Sequence, residues 1–427
     1  IAIFWFRRDL RLEDNSALIA ALKSGHQVLP VFIFDQHILS DLPRQDARLG
    51  FIHDLLTDIN TSLQKFESGV KCLYGSPIGV WKTLIKTFNI SSVFINKDYE
   101  PYARKRDQQI TTLLAENGIP LYSFKDQVIF EENEILKADG NPYTIFTPYK
   151  NKWLSLFNRE ILNTETSNFK ALYKQIHTLP SLSSMNFKAA TIKVKPYDLS
   201  SLNEYTKSRD FPSTDNTSYL SPHLRFGSVS VRRIISTLKE SDNVFLSELI
   251  WREFFMQIIY HFPKVVTENF KAKYDGVIWR NNEEEFEKWC IGKTGYPLVD
   301  AGMRQLNATG YMHNRVRMVT ASFLCKHLLI DWRWGEAYFA EKLLDYELSS
   351  NNGNWQWSAG TGCDATPYFR VFNPTSQQQK FDRNGMYIKQ WIPELNSFDY
   401  VSPIVDHKLA RDRALRTYKI GLKEHQE

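Results

Sequence analysis

A chain of 427 residues is too long for one hydrophobic core and predicts two domains or three. Its hydrophobic content of 43% and charged content of 24% are typical of a soluble globular protein, and no apolar run approaches the length that spans a membrane. The net charge of +5 permits a nucleic-acid partner without requiring one.

The first 130 residues alternate short apolar runs with stretches of helical spacing. Buried strands are predicted at 1–6, 28–34, 71–74, 92–95 and 121–124. Helices are predicted between them at 15–23, 47–66, 77–88 and 102–117. This alternation predicts a Rossmann-like α/β domain over 1–130, with a parallel sheet covered by helices on both faces. No GxGxxG motif is present, so the dinucleotide-binding fingerprint is absent.

The rest of the chain has a different character. Residues 131–195 are polar, with one helix expected around 150–160, and they read as a connection between domains. Strand signals are absent from about residue 205 onward, so 196–427 are predicted to form an all-α domain. Its strongest helices are predicted at 244–262, 297–307, 311–330 and 335–346, with Pro297 and Gly310 as helix boundaries.

A helix start is predicted near Pro222. Ser221 is a preferred N-cap residue and Pro222 a preferred first helical residue. Together with Thr217 and Ser218 they form either a phosphate cradle or an ordinary capped helix.

Two helix faces carry mixed aromatic and polar side chains. Glu248, Trp251, Arg252 and Phe255 share one face at i, i+3, i+4 and i+7. That face fits stacking on a flat heterocycle, or an amphipathic helix with a Glu248–Arg252 ion pair.

On a later helix Asn314, Arg317 and Met318 share a face, and Arg315 is turned about 100° away. Asp345 and Glu347 form a D-x-E pair. Pairing with Arg317 or with ribose hydroxyls is favoured over Mg²⁺, which recruits more oxygens, so no metal is expected. His313 is interpreted as structural.

Residues 351–360 place Trp355 and Trp357 two positions apart. In a helix they project about 200° apart, so one can point into the protein while the other lines a cavity. Six tryptophans of the helical region either pack a core or form a chain of redox-active indoles: Trp279, Trp289, Trp332, Trp334, Trp355 and Trp357.

The cysteines Cys72, Cys290, Cys325 and Cys363 form no CxxC pair, which fits a reducing compartment.

Four segments carry a resemblance over nearly the whole chain: residues 4–12 (FWFRRDLRL), 292–300 (GKTGYPLVD), 312–318 (MHNRVRM) and 367–374 (PYFRVFNP). In these segments the chain resembles the photolyase/cryptochrome family, most closely bacterial class I-type cyclobutane pyrimidine dimer photolyases. The resemblance implies an α/β antenna domain and an all-α FAD-binding domain. It also implies light-driven repair of UV-damaged DNA, in which reduced FADH⁻ gives an electron to a flipped-out cyclobutane pyrimidine dimer.

The resemblance also implies roles for single residues. The phosphate side of FAD would be held by Tyr205, Thr217, Ser218, Tyr219, Leu220 and Ser221. The flavin and its ribose would contact Arg252, Asn314, Arg317, Asp345, Glu347 and Asn351, with Asn351 near the flavin N5 atom. The electron relay would be Trp279, Trp332 and Trp355. The pyrimidine dimer and the DNA would contact Glu248, Trp251, Asn314, Arg315, Met318, Trp357 and Gln377. A protonated Glu248 would stabilise the charge that develops on the dimer carbonyls.

Two related functions are alternatives. Members that repair the (6-4) photoproduct carry histidines where this chain has Asn314 and Met318, so cyclobutane dimers are favoured. A cryptochrome photoreceptor would use the same tryptophan relay, but the set Glu248, Trp251 and Trp357 and the short tail after residue 400 favour repair.

A folate antenna is not expected, because Ala103 stands where folate-binding relatives carry glutamate, whereas a deazaflavin, a second flavin or no antenna stay open. We expect a cytoplasmic monomer of bacterial type that acts on the nucleoid and not at a membrane. Because the chain opens at Ile1 on a predicted strand, we expect a few native residues to precede it.

Overall fold

The computed structural model describes residues 1–162 and 168–424. The chain divides into two compact units. Unit 1 comprises Ile1–Gly140, Lys150–Tyr197 and Tyr219–Glu253, and unit 2 comprises Asn141–Tyr149, Asp198–Ser218 and Phe254–Glu427. The domain boundaries expected at 130 and 195 stay a prediction.

Unit 1 contains a five-stranded parallel sheet. Its strands are β1 (Ala2–Phe6), β2 (Val28–Asp35), β3 (Lys71–Gly75), β4 (Ser92–Asn96) and β5 (Leu121–Phe124). Their order is β3-β2-β1-β4-β5, and the β1–β2 register pairs Ile3 with Leu29. All five strands lie where the apolar runs predicted them.

Alternation along β1 explains why the sheet is covered on both faces. Phe4 and Phe6 belong to a core on one face, and Ile3 and Trp5 belong to a core on the other. Successive side chains of a strand point to opposite faces, so a strand that is apolar at every position must be buried on both. The helices of unit 1 supply that cover, as the sequence predicted.

The predicted helices are present at or near the expected positions, and the structure adds others that were not predicted, among them α2, α9, α11, α16, α17 and α18 of the following list. Up to residue 162 they are α1 (Ser16–Leu22), α2 (Gln36–Leu39), α3 (Ala47–Gln64), α4 (Pro77–Thr87), α5 (Pro101–Glu116) and α6 (Phe146–Leu156). They continue as α7 (Tyr205–Ser208), α8 (Leu220–Phe226), α9 (Val231–Thr237), α10 (Asn243–His261), α11 (Glu283–Cys290) and α12 (Pro297–Thr309). The last are α13 (Asn314–Ser322), α14 (Trp332–Lys342), α15 (Leu348–Ala359), α16 (Pro374–Phe381), α17 (Met386–Trp391) and α18 (His407–Glu424).

The predicted helix 311–330 is not one α-helix. It begins only at Asn314, because the imidazole of His313 accepts the Arg315 backbone N–H and caps the start. It ends at Ser322, where the π-helical turn Phe323–Leu328 follows. Pro297 opens α12 as predicted, and Gly310 ends it with φ +72°.

Unit 2 is built around one large apolar core. Leu298, Val316, Leu324, Trp332 and Trp355 are among its buried members. Among the described residues from 205 onward no strand occurs, in agreement with the predicted all-α domain. In the same described part of the chain, no helix is both long and apolar enough for a membrane crossing.

Candidate functional site

Trp355 and Trp357 point in different directions from α15. Trp355 is 2% exposed, and its ring packs edge-on against Phe339 at 4.9 Å and Trp289 at 6.1 Å between centroids. Trp357 is only half-buried. Gly335 makes room for the inner ring, since a Cβ there would overlap it. The opposite orientation predicted from helical geometry is confirmed.

Asn351 is held by a residue that sequence reasoning missed. Its amide Nδ2 donates to Glu336 Oε1 at 2.8 Å and to the Glu336 backbone oxygen at 3.1 Å. A backbone carbonyl can only accept, so the amide must present its NH₂ to Glu336 and turn its own oxygen away. Burial raises the pKa of Glu336 above its ordinary value, and the hydrogen bond from Asn351 opposes that shift.

The D-x-E pair is a hydrogen-bonding group. Arg317 donates to Asp345 at 3.0 Å, which confirms the predicted pairing. Glu347 is 5% exposed, and its Oε2 accepts the hydroxyl of Ser350 at 2.9 Å. Within the described ranges, no group of three or more His, Cys, Asp and Glu side chains could hold a metal ion. Arg317, Asp345 and Glu347 together offer both donors and acceptors to a polar ligand.

The other two tryptophans of the predicted relay belong to the same region of unit 2. Trp332 is 1% exposed in the core, and its Nε1 donates to Asn269 Oδ1 at 2.9 Å. Trp279 is half-buried and packs against that core, and its ring meets Tyr418 edge-on at 5.9 Å. The predicted relay therefore has two buried members, Trp332 and Trp355, and one that is partly exposed.

Arg315 is fixed from two sides by residues far away in the chain. Its Nη2 donates to Asp210 Oδ1 at 2.7 Å, and its guanidinium lies 4.3 Å from the ring centroid of Phe381. Within the described residues, Arg315 Nε and Gln377 Oε1 are buried without a hydrogen-bond partner. Such orphaned atoms are rare in folded proteins, and each is suited to a hydrogen bond with a polar ligand.

Asn314 and Met318 lie one turn apart at the start of α13. Asn314 is exposed and Met318 half-buried, with Asn314 Nδ2 4.0 Å from Met318 Sδ. Burial lowers the pKa of the preceding His313 to about 4, with a smaller lowering from Arg317 and Arg315. A neutral imidazole keeps the helix cap intact at neutral pH, so His313 is structural, as predicted.

Of the residues expected at the FAD phosphates, Tyr205, Thr217 and Ser218 belong to unit 2, and the range 219–221 belongs to unit 1. Tyr205 lies on α7 beneath the guanidinium of Arg209, 5.3 Å from its ring centroid. Ser218 accepts the Asp198 backbone N–H at 2.9 Å, and Thr217 is exposed.

The predicted N-cap at Ser221 is wrong. Helix α8 starts at Leu220 after Tyr219, which has φ +51°. Ser221 and Pro222 therefore lie inside the first turn, where proline is tolerated because the early backbone N–H groups lack helical acceptors. Lys195 donates to the Tyr219 hydroxyl at 2.8 Å and lies over its ring. Local capping preferences could not show this, because the contact with Lys195 spans 24 residues.

Helix α10 carries Glu248, Trp251 and Arg252, all half-buried. Arg252 donates to the Gln127 backbone oxygen at 2.7 Å. The next residue, Glu253, is 3% exposed and accepts the backbone N–H of Ile129 at 2.7 Å. These two contacts within unit 1 hold the middle of α10 against residues 127–130, and sequence reasoning missed both.

Ala103 is 4% exposed within α5 of unit 1 and offers only a methyl group. A methyl group cannot hydrogen-bond a folate, and the absence of a folate antenna stays a prediction.

Residues 2–168 match the family model for DNA photolyase, and residues 245–399 match the model for the FAD binding domain of DNA photolyase. The deoxyribodipyrimidine photo-lyase of Vibrio cholerae is 38% identical, over 98% of this chain and 99% of that protein.

Two solved structures share the fold. An archaeal photolyase from Sulfolobus tokodaii, whose structure holds two FAD molecules and implies a novel light-harvesting cofactor, has a TM-score of 0.86 at 35% identity, covering 98% of this chain and 99% of its own. The cryptochrome of Synechocystis has a TM-score of 0.85 at 25% identity, covering 97% and 98%. This chain, with its parallel-sheet unit, its helical FAD-binding region and its full-length likeness to these proteins, belongs to the photolyase/cryptochrome family.

Proposed function

We propose that the protein repairs cyclobutane pyrimidine dimers in UV-damaged DNA with light, using reduced FAD. The observation that carries the proposal is the 38% identity to the Vibrio cholerae deoxyribodipyrimidine photo-lyase over 98% of the chain. Bound reduced FAD would supply, after absorbing light, the electron that splits the cyclobutane ring. The protein's own residues would bind the cofactor, extract the lesion and exclude competing partners.

Asn351 supports reduced rather than oxidised flavin as the working form. Glu336 occupies the NH₂ side of the amide, and this leaves the Asn351 carbonyl oxygen as an acceptor. An acceptor favours a protonated ring nitrogen, such as N5–H of a reduced flavin, over an unprotonated one. The guanidinium of Arg317, held by Asp345, would offer N–H donors to an anionic reduced ring.

Aromatic and basic side chains would take up the lesion and its backbone. Flipping a dimer out of the duplex costs a few kcal/mol, and less for a damaged base that already pairs poorly. Stacking on Trp251 and on Trp357 would each offset that cost by about 1–3 kcal/mol. Arg315, whose guanidinium is held by Asp210, would meet a phosphate, and Gln377 would add a polar contact.

The decisive experiment is a repair assay on defined substrates. The purified protein with reduced FAD should restore DNA containing a cyclobutane dimer under blue light and leave it unchanged in the dark. A (6-4) photoproduct serves as the matched substrate control, and no repair of it is expected. Absence of repair on both substrates, with light-dependent spectral change retained, would instead favour a cryptochrome, whose fold this chain shares.

Trp251→Ala should weaken binding of dimer-containing DNA by roughly 1–3 kcal/mol, because the stacking surface for one base is lost. FAD content, read from the absorption spectrum, should stay unchanged. Trp334→Ala, at another half-buried tryptophan with neither a relay nor a pocket role, is the control. Equal lesion affinity in the wild type and Trp251→Ala would remove Trp251 from the pocket.

Raising the salt concentration should lower DNA affinity steeply, because bound phosphates release counterions. Arg315→Ala should reduce the slope of log K against log salt by about one, on damaged and undamaged DNA alike. Arg416→Ala, which removes an exposed arginine of α18, should leave the slope unchanged. A slope that is the same in wild type and Arg315→Ala would exclude Arg315 as a phosphate contact.

A further inference from the structure

The indole N–H of Trp332 is held by a buried amide that the proposed repair mechanism does not use. Trp332 is 1% exposed, and its Nε1 donates to Asn269 Oδ1 at 2.9 Å. Asn269 is itself only 8% exposed. Its amide Nδ2 donates in turn to Asp275 Oδ1 at 2.6 Å. Indole, amide and carboxylate therefore form one hydrogen-bonded chain from the core of unit 2 to the exposed Asp275.

The orientation of the Asn269 amide is fixed from both ends. An indole N–H can only donate and a carboxylate can only accept, so the amide oxygen must face Trp332 and the NH₂ must face Asp275. A flipped amide would place two donors together at Trp332 and two acceptors together at Asp275. Asp275 lies four residues before Trp279, so the same hydrogen bonds connect the segments that carry two members of the predicted relay.

The other charges beside Trp332 offset one another. The guanidinium of Arg333 lies 4.8 Å from the Trp332 ring centroid, and a cation over the ring opposes its oxidation. Arg333 is paired with Asp331 at 3.0 Å, and this carboxylate counters the guanidinium charge. Arg333 Nε also donates to the Thr267 backbone oxygen at 2.8 Å, which fixes the guanidinium in place. The hydrogen bond at the N–H edge is therefore the contact that favours the oxidised indole.

Oxidation of Trp332 strengthens this hydrogen bond. Loss of an electron puts a positive charge on the indole and makes its N–H a better donor and a much stronger acid. A hydrogen bond from a charged donor is roughly twice as strong as a neutral one, so Asn269 stabilises oxidised Trp332 more than reduced Trp332. An amide oxygen is also a far weaker base than a carboxylate. Asn269 can therefore hold the proton on the indole without removing it.

We propose that Asn269 is a positioning residue for electron transfer, which keeps the proton on oxidised Trp332 so that the positive charge moves on to Trp279. This rests on the proposed function, since light must drive the reduction of FAD and oxidise Trp355. Trp332 then gives one electron to the Trp355 radical cation, and Trp355 becomes neutral. Trp332, now a radical cation with its N–H bond intact, takes one electron from Trp279. No bond breaks in either step, and the charge ends on the half-buried Trp279.

Flash photolysis of the FAD-loaded protein measures the effect of this hydrogen bond. Asn269→Leu keeps a similar volume but cannot accept the indole N–H of Trp332. The yield of long-lived tryptophan radical per bound FAD should fall about three- to tenfold, because the extra stabilisation of the oxidised indole is lost. Asn307→Leu is the matched control and should behave as the wild type. Asn307 also uses both ends of its amide, donating to Cys290 O at 2.8 Å and accepting the Tyr338 hydroxyl at 2.7 Å.

Exchanging the two polar side chains tests the fate of the proton. The double variant Asn269→Asp/Asp275→Asn keeps the hydrogen-bonded chain and its net charge but places the carboxylate at the indole. Oxidised Trp332 should then lose its proton: the indole N–H bond breaks and an O–H bond forms on the carboxylate at position 269. The transient spectrum should be that of a neutral tryptophan radical, and the charge should not reach Trp279. The wild type should show the radical cation instead.

The hydrogen bond can also be measured in the dark. In NMR spectra of the FAD-loaded protein, the indole proton of Trp332 is assigned by its absence in Trp332→Phe. It should resonate at lower field in the wild type than in Asn269→Leu. Asp275→Ala, at an exposed position, frees the amide to rotate and should lower the radical yield in the same direction by a smaller factor. This variant replaces Asn269→Leu if the latter does not fold.

The possible outcomes distinguish the role of Asn269 from that of the relay. Normal photoreduction in Trp332→Phe overturns the predicted relay itself. Blocked photoreduction in Trp332→Phe together with a wild-type radical yield in Asn269→Leu overturns the role of Asn269 alone. Equal losses in Asn269→Leu and Asn307→Leu contradict the proposal, because they show a general effect of removing an amide. A radical cation of wild-type lifetime in the double variant overturns retention of the proton.

Discussion

Trp332→Phe is expected to abolish photoreduction of oxidised FAD while leaving repair intact in enzyme that has been reduced chemically. The phenyl ring keeps most of the packing volume in the core of unit 2 but removes the oxidisable indole. The substitution also leaves Asn269 Oδ1 without the Trp332 N–H, at a cost of about 1–3 kcal/mol of stability. The measurement is the bleaching of oxidised FAD under blue light in the presence of a reductant, followed by the repair assay.

Trp289→Phe is the matched control for this prediction. Trp289 is fully buried, touches Trp355 at 6.1 Å and loses a comparable hydrogen bond, from its Nε1 to Thr320 O. We expect normal photoreduction in that variant. If Trp289→Phe blocks photoreduction and Trp332→Phe does not, Trp289 rather than Trp332 supplies the electron to Trp355.

Glu253→Ala is expected to destabilise the protein by roughly 3–4 kcal/mol, because it leaves several buried hydrogen-bond donors without an acceptor. The carboxylate accepts the backbone N–H of Ile129 at 2.7 Å and of Phe130 at 3.1 Å. It also accepts the indole N–H of Trp153 at 2.7 Å. Each buried donor left without a partner costs about 1–3 kcal/mol, and the losses do not add fully.

Hydrogen exchange gives the local readout for Glu253. The amides of residues 129 and 130 should lose protection in Glu253→Ala, and the urea midpoint should fall. Glu116→Ala, an exposed glutamate at the end of α5, should change stability by no more than about 0.5 kcal/mol. Unchanged protection of residues 129 and 130 would mean that water or another acceptor replaces the carboxylate.

Strands and most helices could be predicted from the sequence because their signals are local. The run at 28–34 is apolar at every position, short and rich in Val, Ile and Phe, which favours a strand buried on both faces. The helices are amphipathic, and Pro297 and Gly310 have conformational preferences that hold in almost any surroundings. The pairing of Arg317 with Asp345 was one of the two roles that the sequence favoured for the D-x-E pair, beside hydrogen bonds to ribose hydroxyls.

The partners of the site residues could not be predicted in this way. Glu336 precedes Asn351 by 15 residues, and Asp210 precedes Arg315 by 105. No period in the sequence relates such positions, because the packing of helices against one another determines which side chains meet. The N-cap expected at Ser221 was wrong because α8 begins one residue earlier, after a positive φ at Tyr219 that side-chain capping preferences do not predict.

The sequence by itself therefore determined the two-part architecture, the family and the opposite orientation of Trp355 and Trp357, since each depends on local periodicity or on contiguous motifs. Tertiary structure alone decided how those residues are held. Residues 323–328 read as the continuation of a helix, yet they form a π-helical turn that buries Lys326 against Tyr418. The reason is physical: the charge state and hydrogen bonds of a buried group depend on what surrounds it in space, and that is set by long-range packing.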